Sequence, residues 1–170
     1  MDWDQYFIMM AYTVALKSKD ESTKLGAVIT TLDNSLVSTG YNSFPRGLKD
    51  NIEQRQKRPN KYHFFVHAES NAIFHSARCG SKTNDCKMYT QGLPRENCAL
   101  AIIQSGIKQV YIHNQWEKKA ERIFDEWESR KVDSVAMFNE CGVEVKYLDL
   151  VISNDHIQIK TCIRGEWFDI

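Results

Sequence analysis

Three side chains of chemically useful types stand beside two apparent helix starts. His67 and Glu69 are two residues apart in FVHAESNAI, and Cys98 follows Pro94 at the head of the apolar run in LPRENCALAII. An imidazole and a thiolate are both ligand types for a tetrahedral zinc ion. A carboxylate beside them need not ligate: it can take a proton from a metal-bound water and pass it to a leaving group. Each signal is weak alone, because a lone buried histidine is more often a core residue with satisfied hydrogen bonds. Arg95, three residues before Cys98, is the residue in this stretch whose purpose is not evident.

The elements that must position these groups can be read from periodicity. Residues 2–18 carry Trp3, Phe7, Met10, Val14 and Ala15 near one face at helical spacing, with Asp2 or Asp4 available as a cap. Residues 25–31 and 36–42 are short β-branched runs around a turn-like Leu-Asp-Asn-Ser and predict a hairpin. After a polar loop with Pro45 and Gly47, the charged segment 52–62 predicts a short helix or a mobile loop. HAESNAIFHSAR predicts a helix closed by Gly80, KMYTQ a strand, and Pro94 the first turn of a helix running to Gly106. KQVYIHN predicts a strand, the following charged segment a helix broken near Val132, and residues 143–150 a further strand. The tail alternates apolar and polar residues around Gly165, which favours two extended pieces. Strands alternating with helices predict an α/β protein whose later strands are parallel. In that topology the helix carrying Glu69 and the helix carrying Cys98 begin at one sheet edge, where open α/β folds bind ligands. Two positive helix ends meeting there suit an anion or a thiolate.

Size and charge limit the function. A chain of 170 residues fits one domain over residues 1–170, able to bury roughly two thirds of its unfolded surface, with 149–170 as a C-terminal extension. Lys plus Arg and Asp plus Glu are both 22, so no global field draws the chain to a nucleic acid polymer, while a small anion needs only a few local cations. No apolar run reaches the roughly 20 residues that span a bilayer, and the first residues lack the basic start and apolar core of a signal peptide. A cytoplasmic protein is expected, without a membrane partner. Five cysteines, an odd number in a chain too large to need disulfide staples, read as reduced; Cys141 and Cys162 read as core residues.

In combination the motifs carry more weight. The order H-x-E followed by P-C-x-x-C marks zinc nucleobase deaminases, and His67-Ala68-Glu69 and Pro94 to Cys98 follow that order. With the blocks KDESTKLGAVI, TGYNSFPRG, RPNKYHFFVHAESNAI, MYTQGLP, CALAIIQSGIKQVYI and MFNECGVEV, the chain resembles the deoxycytidylate (dCMP) deaminase family over most of residues 1–148. The resemblance implies a three-layer α/β/α fold with a mixed five-stranded sheet, a catalytic zinc, and hydrolysis of dCMP, or also dCTP, to the uracil nucleotide and ammonia. It implies homo-oligomers, hexamers favoured, controlled by dCTP and dTTP, with magnesium accompanying a nucleotide effector. By position His67 and Cys98 resemble the zinc ligands and Glu69 the proton shuttle. Asn42 resembles the residue that holds the sugar, and Ala68 the one whose backbone meets the base. The loop with Gly47 and Asp50 resembles the effector region. Lys24 is a weaker candidate for the 5′-phosphate, equally readable as a solvated lysine.

Arg95 departs from the pattern. The family places its first zinc cysteine there, and a guanidinium cannot become a ligand. Three readings follow: a variant of a parent with cysteine at 95, and so of impaired activity; a displaced third ligand, for which Cys79 and Cys86 are the nearby thiols; or a domain that keeps nucleotide binding without catalysis. The first is favoured because Glu69 and the substrate loops are intact. Competing functions are deamination of another base, such as guanine or tRNA adenosine, and a catalytically silent nucleotide-binding regulator. The absence of a basic arm weighs against tRNA.

Overall fold

A computed structural model describes residues 1–123, 127–153 and 158–170. Helix α1 (Trp3–Ala15) starts at Asp2, whose side chain accepts from Gln5 N at 2.7 Å. Strands β1 (Gly26–Thr30) and β2 (Leu36–Tyr41) form the expected hairpin, and a 3₁₀ turn at Glu53–Arg55 precedes the short helix α2 (Lys61–Phe64). There follow α3 (Ala68–Cys79), β3 (Lys87–Thr90), α4 (Glu96–Gln104), β4 (Gln109–His113), α5 (Asn114–Ile123), α6 (Trp127–Glu140) and β5 (Glu144–Leu148). Strands β6 (Lys160–Ile163) and β7 (Glu166–Asp169) pair with each other as a separate two-stranded sheet. The predicted break near Val132 is not found, since Val132 lies inside α6; the α5 to α6 junction falls on 124–126, outside the described residues.

The five-stranded sheet has the order β2-β1-β3-β4-β5, with β1 antiparallel to β2 and β3, and with β3, β4 and β5 parallel. The parallel later strands are those expected from the alternation of strands and helices, and the mixed five-stranded sheet is the one the family resemblance implies. Side-chain alternation along each strand feeds two cores. Ala27, Ile29, Met88, Val110 and Ile112 face the side covered by α3, α4 and α6. Val28, Tyr89 and Tyr111 face the other, with Phe7, Ile8, Ala11 and Tyr12 of α1, Trp116 and Ala120 of α5, and Ile163 of the C-terminal hairpin.

Helix α1 turns a slightly different stripe inward from the predicted one: Phe7, Ile8, Ala11, Tyr12 and Ala15 are buried, while Trp3 is exposed. The cause is close packing on β1, where a Cβ on Gly26 would lie 2.0 Å from Ala11 O, so the small residues of α1 must face the strand. The same device places α3. A Cβ on Gly40 would lie 2.3 Å from both Ala68 O and Ala72 N, so the first turn of α3 rests on the backbone of β2.

Gly40→Ala is therefore expected to lower unfolding stability by about 3 kcal/mol, read from urea denaturation. A loss well under about 1 kcal/mol would show that α3 can withdraw from β2 at little cost.

Candidate functional site

Helices α3 and α4 start side by side. His67 is the N-cap of α3 and Arg95 the N-cap of α4; both have extended backbone, and neither side chain caps its helix. Pro94 thus precedes the cap rather than lying in the first turn. The loop after β3 reaches α4 through Gly92 and Leu93, and a short crossover into parallel β4 leaves the N-terminus of α4 at the carboxyl end of β3. β3 has antiparallel β1 on one side and parallel β4 on the other, so the two helix tips open onto the sheet edge where such folds receive ligands.

At this point His67, Glu69 and Cys98 converge. Their candidate ligand atoms all lie within 4.8 Å of one another, and they are the one such group of three or more among the described residues. His67 Nδ1 stands 3.2 Å from Cys98 Sγ, the thiol donates to Glu69 Oε2 at 3.6 Å, and Ser70 Oγ lies 3.8 Å from the sulfur. Cys98 and Glu69 are buried. Burial, and after it the neighbouring Glu69 charge, pushes the Cys98 thiol well above its usual range; Ser70 and Arg95 draw it down by less. The thiol form of Cys98 is thereby favoured, with its hydrogen directed at Glu69 Oε2.

Whether these donors make a zinc site turns on their number. Catalytic zinc is held by three protein ligands with a water in the fourth position. His67 and Cys98 supply two arms, and Arg95, which also lines the cleft, brings a permanent positive charge where a third would stand. The other thiols do not replace it. Cys86 donates to Lys82 O, Cys79 is exposed at the end of α3, and neither joins the cluster. With Glu69 kept for proton transfer, the cluster offers two ligands, one fewer than a three-ligand catalytic zinc site.

The cleft in front of the cluster carries cations that sequence reading did not single out. Lys61 and Arg58 line it. Lys61 is buried against Asp20, donating to Oδ1 at 2.6 Å. Asp20 Oδ1 also accepts from Ser22 N and Thr23 N, and Oδ2 accepts from Asn42 Nδ2 at 3.0 Å. Arg58 is exposed, donates to Ser22 Oγ at 3.3 Å and lies over the Tyr62 ring. Charged residues in a segment that reads as helix or loop are ordinarily solvated, so nothing in the sequence separates these from their neighbours.

The other sequence-derived positions fall as follows. Asn42 lines the cleft, its amide hydrogens given to Asp20 and Thr23 O and its oxygen accepting from Leu25 N at 2.8 Å. Ala68 is the buried first residue of α3. Lys24 is not on the cleft wall; its ammonium donates to Ser18 O. Asp50 pairs with Lys19, and Gly47 takes a left-handed turn conformation with φ 82°. A second cleft lies between the Ser43–Arg46 loop and α3, with Arg46, His75 and Arg78 on its wall, and neither Gly47 nor Asp50 lines it.

Residues 1–114 match the family model described as the cytidine and deoxycytidylate deaminase zinc-binding region. The chain is 39% identical over 150 residues to an uncharacterized deaminase in the luxG 3′ region of Aliivibrio fischeri, covering 88% of this chain and 96% of that one. It is 35% identical over 133 residues to the deoxycytidylate deaminase of Mus musculus, covering 72% and 74%. The dCMP deaminase of cyanophage S-TIM5, solved with dCMP and dUMP, shares the fold with a TM-score of 0.66 at 24% identity, covering 85% of this chain and 95% of that one.

If position 95 is the missing arm, Arg95→Cys should raise bound zinc from well below one to about one ion per chain, the expected content of a completed three-ligand site. Metal analysis of the two purified proteins decides it; equal zinc content would remove Arg95 as the cause.

Proposed function

This chain belongs to the cytidine and deoxycytidylate deaminase family, and we propose that within it the protein is a hydrolytic deaminase of dCMP, with turnover weakened by Arg95. The observation that carries this reading is the Glu69 carboxylate, His67 imidazole and Cys98 sulfur gathered within 4.8 Å beside a cleft that also holds Arg58 and Lys61. An acid/base group, two metal-ligand types and cations for a phosphate are the parts a nucleotide deaminase needs.

In this reading a cytosine ring enters the cleft with C4 toward Glu69. The carboxylate accepts a proton from the attacking water and returns it to the ring nitrogen; it then takes the proton of the new C4 hydroxyl and passes it to the amine, so that the C4–N bond breaks, ammonia leaves and the C4 carbonyl forms. Zinc is the proposed cofactor of the family pattern, with His67 and Cys98 as the two arms this chain retains. Asn42 is assigned to the sugar and the Ala68 backbone to the base. The 5′-phosphate is assigned to Arg58, whose guanidinium is exposed at the cleft, in preference to Lys24. Regulation by dCTP and dTTP is proposed for the region of the Ser43–Arg46 loop, where Arg46 and Arg78 supply charge. A cytoplasmic homo-oligomer built on one deaminase domain completes the proposal. Arg95 itself favours one second reading: a silent domain that binds the nucleotide and regulates a partner.

Ammonia release from dCMP with zinc supplied separates the two. Arg95→Cys should raise the rate at least roughly 100-fold, and adding Glu69→Gln should lower it again by about 10²–10⁴-fold while dCMP still binds. Unchanged silence in the Arg95→Cys protein would favour the regulator. For the phosphate, Arg58→Ala should weaken dCMP binding by roughly tenfold or more and leave deoxycytidine binding unaltered, as measured by calorimetry. Equal losses for both ligands would assign the phosphate elsewhere.

A further inference from the structure

The C-terminal hairpin lies outside the family-matched residues, yet it grips the cleft wall. Thr161 on β6 is buried, and its hydroxyl oxygen accepts from Trp116 Nε1 at 3.2 Å and from Gln91 Nε2 at 3.3 Å. Trp116 lines the cleft and packs over Gly92, where a Cβ would lie 2.0 Å from the indole ring. Gln91, fully buried, accepts from Gly26 N through Oε1 at 2.6 Å, so the same amide fixes the start of β1. Thr161 thus joins the indole on one wall of the cleft to the strand entry on another.

The hairpin backbone holds the adjoining segment as well. Lys24 N donates to Cys162 O at 3.0 Å, Gly165 N donates to Ser22 O, and Arg164 N donates to Thr23 Oγ1 at 3.1 Å. On its other side this segment is held by Asp20 and Asn42, and Thr23 and Leu25 project from it onto the cleft. The segment is clamped between the nucleotide-side network and the hairpin.

We infer that the β6–β7 hairpin is a built-in part of the nucleotide pocket, with Thr161 as a positioning residue that sets Trp116 and the 22–26 segment for the deoxynucleotide. Thr161 does not touch the ligand; it acts through the indole and through Gln91. The identity of the ligand rests on the dCMP reading above. The hydroxyl is required because valine has the same shape but removes the acceptor that Trp116 Nε1 and Gln91 Nε2 share, leaving the Gln91 amide its longer bond to Lys24 O at 3.4 Å.

The test compares Thr161→Val, Thr161→Ser and, as a general destabiliser away from the cleft, Val143→Ala, all in the full chain. Calorimetry with dCMP and amide hydrogen exchange over residues 22–26 are read on each. Thr161→Val is expected to weaken dCMP binding by roughly tenfold or more and to speed exchange at Lys24 and Gly26. Thr161→Ser should restore both, and Val143→Ala should change neither despite a lower Tm. Normal dCMP binding and normal exchange in Thr161→Val would overturn the inference. A wild-type chain that fails to bind dCMP would sink the substrate reading alone, and the exchange data would still decide the role of Thr161.

Discussion

The arrangement of the site depends on two helices beginning at one place without side-chain caps. The first amides of an α-helix have no partner within the helix and carry partial positive charge. In α3 and α4 the N-cap residues are His67 and Arg95, whose side chains point to other tasks. Because α3 is pressed onto β2 at Gly40 and α4 follows β3 through a short crossover, the two tips cannot separate without disturbing the sheet. That constraint brings a thiol from one helix against an imidazole and a carboxylate from the other, 31 and 29 residues away in the chain.

Arg95 changes the electrostatics of that meeting point. A cysteine there would bring a third anionic donor to balance a divalent cation. Arginine instead places a fixed cation beside the cluster, where it competes with a metal for the same negative groups. Around it, Glu69 is buried in reach of Cys98, and Arg58 and Lys61 line the cleft.

The cleft wall contains a buried ion pair. Lys61 and Asp20 are both removed from water, which is costly unless further hydrogen bonds compensate. Asp20 answers this by accepting from two backbone amides and from Asn42 as well as from Lys61. The result is a fixed geometry for the residues between the strand entry and α2. The C-terminal hairpin presses on the same segment from the far side, so part of the binding wall comes from chain that carries no deaminase motif.

Much of the site was legible in the sequence because its residues are of rare types at fixed spacing: His67 and Glu69 on one turn, Cys98 after a proline, and the anomalous Arg95. The alternation of strands and helices was legible for the same reason, since burial imposes periods of 2 and 3.6 residues. The cations were not. Arg58 and Lys61 look like any solvated charge until α2 and the loop before it turn them toward the cleft, and Lys24 looks as suitable, though it does not line the cleft and its ammonium donates to Ser18 O. Nor could the tail be placed: its alternation announced two extended pieces, but the partners of Thr161 lie 45 and 70 residues away. The sequence by itself determined which chemical groups the protein owns and which local elements carry them, because both follow from residue type and short-range period. Only the tertiary structure decided which charges face the cleft and which distant hydroxyl holds its wall, because those depend on long-range contacts that leave no local pattern.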